Sequence, residues 1–142
     1  MSEAGPARGI VVAHGALAQG LVDAVQQIAG TNEDILTPLS NQGLSPDVLV
    51  ARIRDRLGPG PTIIFTDLPS GSCGFAARRL TRELPGVAVV CGTNLAVLLE
   101  FVFHREEPIS ELVARLLAKG RASICCAPAE LETNAYRSVP GR

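Results

Sequence analysis

Three short runs of almost unbroken apolar residues constrain this chain most: Gly9–His14, Thr62–Asp67 and Val87–Cys91. A strand with one wet face would alternate polar and apolar residues. These do not, so they fit parallel strands covered on both sides. A weaker strand is predicted over Asp34–Leu39 and a last short one over Arg121–Ala127. Helical signals lie between them. Leu17, Leu21, Val25 and Ile28 mark a helix over Leu17–Ala29, ended by Gly30. Ser45-Pro46-Asp47 supplies an N-cap followed by proline at the first helical position. The helix it opens carries Leu49, Ile53 and Leu57 and stops at Gly58-Pro59-Gly60-Pro61. Further helices are predicted over Phe75–Leu84, over Leu95–Phe103 with Asn94 as cap, and over Pro108–Lys119.

Strands separated by helices of this length imply βαβ units. The expected fold class is α/β: a doubly wound, mostly parallel five-stranded sheet with helices on both faces. The strands are expected in the flavodoxin-like order 2-1-3-4, with Arg121–Ala127 as fifth strand. Residues 1–8 are expected to be a disordered N-terminus, 9–127 the α/β domain and 128–142 a C-terminal tail. A chain of 142 residues, 46% hydrophobic, can bury one domain core.

The net charge of -1 gives no electrostatic case for nucleic acid or an anionic membrane surface. Met1–Arg8 does not read as a signal peptide. The longest apolar stretch, Leu95–Phe103, is broken by Glu100 and is too short to cross a bilayer. Cys73, Cys91, Cys125 and Cys126 form no C-x-x-C pair, so neither a metal nor another cofactor is expected. Free thiols fit a reducing cytoplasm.

His14 ends the first strand and Asp67 the third, and the order 2-1-3-4 makes these strands neighbours at the switch point. Ligands bind off the carboxyl ends of the strands there. The topology thus brings together two residues far apart in sequence. A carboxylate beside an imidazole fixes which ring nitrogen carries the proton and leaves the other free as a nucleophile. The loop after Asp67 reads Leu68-Pro69-Ser70-Gly71-Ser72-Cys73-Gly74. Its small residues let backbone N–H groups approach an anion, and it opens onto a helix N-terminus. His14 and Asp67 are the candidate catalytic residues, and Ser70, Gly71 and Ser72 the candidate phosphate cradle. No Walker sequence or dinucleotide glycine motif accompanies them.

These motifs carry a family resemblance. Val11-Val12-Ala13-His14-Gly15, followed by Ala18 and Leu21, resembles the opening of the mannose-type IIA domains of the bacterial phosphoenolpyruvate-dependent sugar phosphotransferase system. Phe65-Thr66-Asp67 with Gly71-Ser72, and Gly92, Asn94, Leu98 and Glu100, match its two later motifs in order and spacing. The resemblance runs from about Gly9 to Ala127. It implies a cytoplasmic phosphocarrier in which His14 accepts a phosphoryl group from HPr and passes it to a IIB protein. Asp67 would hold the imidazole and Ser72 would contact phosphoryl oxygens. It also implies a homodimer and an antiparallel edge strand, for which Arg121–Ala127 is the matching segment. The loop departs from the family's Gly-Gly-Ser-Pro: here Cys73 stands in place of proline.

Other readings of the same residues remain open at this point. The carrier could belong to a dihydroxyacetone kinase system, or serve regulation alone. Cys73 to Arg79 spells C-x5-R, the pattern of cysteine phosphatases, in which a thiolate attacks phosphate. On simpler readings Ser72 and Asn94 cap helices and Glu100 is a solvated charge. Cys91 then belongs to the core, and His104 only lies near a helix end.

Overall fold

A computed structural model describes residues 5–132 of the chain. The elements run β1 (Arg8–Ala13), α1 (Leu17–Ala29), β2 (Leu36–Ser40), α2 (Pro46–Arg56), β3 (Thr62–Thr66), α3 (Ser72–Glu83), β4 (Val87–Cys91), α4 (Leu95–Phe103) and α5 (Ile109–Ser123). The strands form one parallel sheet in the order β2-β1-β3-β4. Val12 pairs with Thr66 and Ala13 with Ser40, so β1, β2 and β3 end at one level.

Side chains alternate across the sheet, and each face has its own core. Val11, Ala13, Ile63 and Phe65 point to one side and pack with Val22 and Val25 of α1, Leu98 and Phe101 of α4, and Leu112 and Leu116 of α5. Ile10, Val12 and Ile64 point to the other and pack with Leu49 and Ile53 of α2 and Ala76, Ala77 and Leu80 of α3. The unbroken apolar runs therefore mark strands covered on both faces. Two of the predicted caps are present. Ser45 Oγ accepts from the Val48 N–H at 3.3 Å and Asn94 Oδ1 from the Val97 N–H at 2.9 Å.

Four expectations are corrected. The sheet has four strands, not five, and no antiparallel edge strand is present among the described residues. Arg121–Ala127 is not a strand: α5 runs on to Ser123, and residues 124–127 are exposed and irregular. Continuing the helix satisfies the backbone of 121–123 locally, whereas a strand there would need a sheet edge within reach. Helix α3 starts at Ser72, three residues before the predicted Phe75. The cause is local: a Cβ at position 74 would stand 2.9 Å from the Pro69 carbonyl oxygen, so only glycine lets the first turn pass beneath the preceding loop. Helix α1 buries Ala18, Val22 and Val25, while Leu17 and Ile28 of the expected stripe are exposed.

Residues 1–4 and 133–142, parts of the expected N-terminal and C-terminal segments, lie outside the described residues. Arg8 opens β1, and the preceding Ala7 is buried.

Candidate functional site

The chain leaves β1 at Ala13 and β3 at Thr66, and the next residue on each side is His14 and Asp67. Parallel pairing of β1 with β3 places them together. Asp67 Oδ2 accepts two hydrogen bonds from His14, from the backbone N–H at 2.9 Å and from ring Nδ1 at 2.7 Å. Asp67 Oδ1 accepts from the Leu68 N–H at 2.9 Å. Both carboxylate oxygens are thus fixed, and the carboxylate can only accept. In the neutral ring Nδ1 therefore carries the proton, and the Nε2 lone pair is free.

The environment keeps Asp67 ionised. Burial raises its pKa, but the backbone and ring hydrogen bonds from His14, the His14 charge and the Leu68 N–H together outweigh it. The carboxyl is held below its ordinary value of 3.8. The His14 side chain remains 48% exposed against 10% for Asp67, so the ring is anchored inside and reachable outside.

The loop beyond Asp67 closes the other wall. Gly71 adopts φ 91° and ψ -179°, a region that essentially only glycine enters. A Cβ there would lie 3.7 Å from His14 Cε1 and 4.0 Å from Nε2, so the backbone at 71 borders the free ring nitrogen. Helix α3 begins at the next residue. The Phe75 N–H bonds to the Gly71 carbonyl as the first full turn closes. The N–H groups of Ser72, Cys73 and Gly74 therefore have no carbonyl to meet within the helix, the arrangement that favours an anion.

Ser72 does not cap this helix: Gly71 is the N-cap residue and no side chain caps it. The Ser72 hydroxyl instead accepts from Asn41 Nδ2 at 2.9 Å. Asn41 follows β2, and its own N–H bonds to the Ala13 carbonyl at 3.2 Å, one residue before His14. With its oxygen occupied by the Asn41 amide, the Ser72 hydroxyl can donate its proton, to a ligand or to the neighbouring Cys73 sulfur. Sequence reasoning missed Asn41. The signal available to it was position alone, one residue past the end of the strand next to β1. Ser70 is exposed on the same loop.

Cys73 also lies closer to His14 than sequence spacing suggests. Its Sγ is 3.9 Å from Nδ1, and the residue is fully buried. Burial pushes the thiol pKa up to about 11, with the Asp67 charge adding to the effect. With no cation beside it the thiol stays protonated, so the resting thiolate a phosphatase needs is not formed. The arginine of C-x5-R is absent from the site as well. Arg79 is turned about 120° around α3 from Cys73 and bonds to Asp47 at 3.1 Å and Glu83 at 3.4 Å.

The third motif serves the scaffold. Gly92 turns at φ 71°, Asn94 caps α4 and Leu98 is fully buried. Glu100 is no solvated charge: its side chain is 18% exposed, 3.5 Å from Arg115 and 3.4 Å from His104, tying α4 to α5. His104 Nδ1 also lies 2.9 Å from the Glu100 carbonyl oxygen, far from His14 in the chain. Cys91 is half-buried, and Cys125 and Cys126 are exposed.

Comparison with known proteins identifies the family. Residues 9–117 match the family model for the PTS system fructose IIA component. The mannose/sorbose-specific IIA subunit of the phosphotransferase system from Enterococcus faecalis is 25% identical, with a TM-score of 0.76, over 85% of this chain and 94% of that one. Phosphotransferase system component EIIA from Streptococcus agalactiae, 24% identical over 84% of this chain and 96% of that one, shares the fold with a TM-score of 0.78. So does the IIA protein associated with the fucose utilization operon of Streptococcus pneumoniae, 21% identical over 89% and 96%, with a TM-score of 0.75. No curated protein sequence matches the chain. The family match covers both strand ends, the loop and the capping motif, and on that ground the chain belongs to the mannose-type IIA components of the sugar phosphotransferase system.

Proposed function

We propose that this protein is a phosphocarrier that accepts a phosphoryl group on His14 Nε2 from HPr and passes it to a IIB partner in the cytoplasm. The observation that carries the reading is the fixed imidazole. Asp67 holds Nδ1 at 2.7 Å while the other edge of the ring stays exposed beside the N-terminus of α3. Transfer is an in-line displacement: the Nε2 lone pair attacks phosphorus as the donor's nitrogen leaves. The ring becomes positively charged, and Asp67 stabilises that charge through Nδ1–H. The backbone at Gly71 and the free N–H groups of Ser72 to Gly74 meet the phosphoryl oxygens, with the Ser72 hydroxyl as a further donor. Catalysis rests on positioning and on stabilising charge already present in the donor.

A homodimer belongs to the same reading. Strand β4 has a neighbour only on the β3 side among the described residues. Beside it an apolar groove of about 180 Å³, lined by Val90, Val97, Leu116 and Ile124, is open, and Ile124 is 76% exposed. An uncovered edge of this kind invites a second copy.

The test is incubation with phosphoenolpyruvate, enzyme I and HPr. The reading expects phosphate bound in an acid-labile, alkali-stable linkage, and its loss in His14→Ala. Failure of a competent HPr to transfer to the folded protein contradicts it.

A further inference from the structure

The chain has no metal-binding spacing in its sequence, yet the fold assembles a mixed set of donors. Cys73 Sγ lies 3.9 Å from His14 Nδ1, and Nδ1 lies 2.7 Å from Asp67 Oδ2. The sulfur, nitrogen and oxygen all fall within 4.8 Å of one another. We propose that His14 Nδ1, Asp67 Oδ2 and Cys73 Sγ form a site for one zinc-class divalent cation, and that occupying it switches the phosphoacceptor off.

The geometry is close to what such an ion requires. Bonds of about 2.1 Å to imidazole and about 2.3 Å to thiolate set two tetrahedral ligands about 3.6 Å apart. The sulfur–nitrogen separation is within a few tenths of an ångström of that. The nitrogen–oxygen pair must open by about 0.6 Å, and the sulfur–oxygen pair, within 4.8 Å, must draw in toward the same separation. The His14 ring is half exposed and can swing that far. Three protein ligands leave the fourth position for water on the exposed side, as in open zinc sites.

The donor chemistry selects the ion. Magnesium and calcium take oxygen ligands, whereas thiolate with imidazole favours zinc and its neighbours. The surroundings are arranged for a metal as well. Cys73 sits in the buried apolar cluster with Ile10, Val12, Ala76 and Ala77, a dry floor beneath the ring. The Leu68 N–H already orients the carboxylate from behind, as outer partners orient ligands in metal sites.

Binding changes the tautomer. A neutral imidazole ligates through a lone pair, so a cation on Nδ1 leaves the ring proton on Nε2. The nitrogen that would attack phosphorus then has no free pair. The balance is simple. The Cys73 thiol releases its proton to solvent, the ring proton moves from Nδ1 to Nε2, Asp67 is already ionised and no atom changes oxidation state. The consequence for phosphoryl transfer rests on the phosphocarrier reading; the cation site does not.

The experiment uses the full chain, reduced, with Cys91, Cys125 and Cys126 replaced by Ala so that Cys73 is the only thiol. Cobalt(II) is titrated as the spectroscopic probe, and folding of each variant is checked by circular dichroism. The proposal expects a near-ultraviolet sulfur-to-cobalt band with tetrahedral visible bands. Both saturate at one equivalent, are bleached by zinc and are lost in Cys73→Ala and Asp67→Ala. Nitrogen-15 spectra should move the His14 proton from Nδ1 to Nε2 when zinc is added. A folded protein with no such band, or a band that survives Cys73→Ala, overturns the proposal. Transfer from phospho-HPr is measured in parallel without metal. Cobalt binding without phosphorylation refutes the carrier reading alone; phosphorylation without a cobalt band refutes the cation site alone.

Discussion

Asp67 Oδ2 accepts from both the backbone N–H and the ring Nδ1 of His14, at 2.9 and 2.7 Å. One oxygen atom thus sets where His14 sits and which way its ring faces. The pairing joins residues 53 positions apart and follows from parallel pairing of the strands that end beside them.

Replacing Asp67 with Asn should therefore do more than remove a charge. The amide can donate to Nδ1, leaving the proton on Nε2 and the nucleophile masked. Phosphoryl transfer from HPr should slow by about 10²–10⁴-fold, the scale at which a misplaced tautomer acts. Rapid-quench rates with retained circular dichroism check this. An unchanged rate removes Asp67 from the reaction.

The same carboxylate leaves a signature in stability against pH. Its pKa is lower folded than unfolded, so its contribution is complete above the ordinary value of 3.8 and disappears as pH falls through the folded value. The wild type should lose stability on acidification below about pH 4 more steeply than Asp67→Asn. Urea midpoints between pH 7 and pH 2.5 measure the difference. Parallel curves would contradict the account.

Ser72 and Asn41 should act as a unit, because the Asn41 amide occupies the Ser72 hydroxyl oxygen at 2.9 Å. Ser72→Ala should slow transfer by about 10- to 100-fold, the worth of one hydrogen bond to a charged group. Asn41→Ala should slow it less, and the double variant should be no slower than Ser72→Ala. Additive losses in this cycle would show the two to be independent.

Much of this site is legible in the sequence, and the missing parts share a cause. His14 and Asp67 can be found because each ends a buried apolar run and parallel order brings those ends together. Asn41 and Cys73 cannot, because their nearness depends on how the loop after β2 and the first turn of α3 lie over the strand ends. Cys73 is 59 positions from His14 with no local pattern to join them. The segment Arg121–Ala127 misleads for a different reason. A short apolar run suits helix and strand alike, and here the helix already under way continues to Ser123. In α1 the large residues Leu17 and Ile28 draw attention, but the stripe that faces the sheet is Ala18, Val22 and Val25.

Gly71 should tolerate no side chain. Its φ of 91° with ψ near 180° is strained for any other residue, and a Cβ would point at the His14 ring. Gly71→Ala should cost about 1–3 kcal/mol, read from denaturant unfolding, and should slow phosphoryl acceptance as the backbone shifts away from Nε2. Full stability together with full activity would contradict this.

The central claim is that His14 Nε2 receives the phosphoryl group while Asp67 holds Nδ1. The measurement that tests it most directly is nitrogen–phosphorus coupling in the nitrogen-15-labelled protein after treatment with phosphoenolpyruvate, enzyme I and HPr. The account predicts one phosphoramidate on His14 Nε2, with Nδ1 still protonated. Phosphate on Nδ1, or on any other residue, would contradict it.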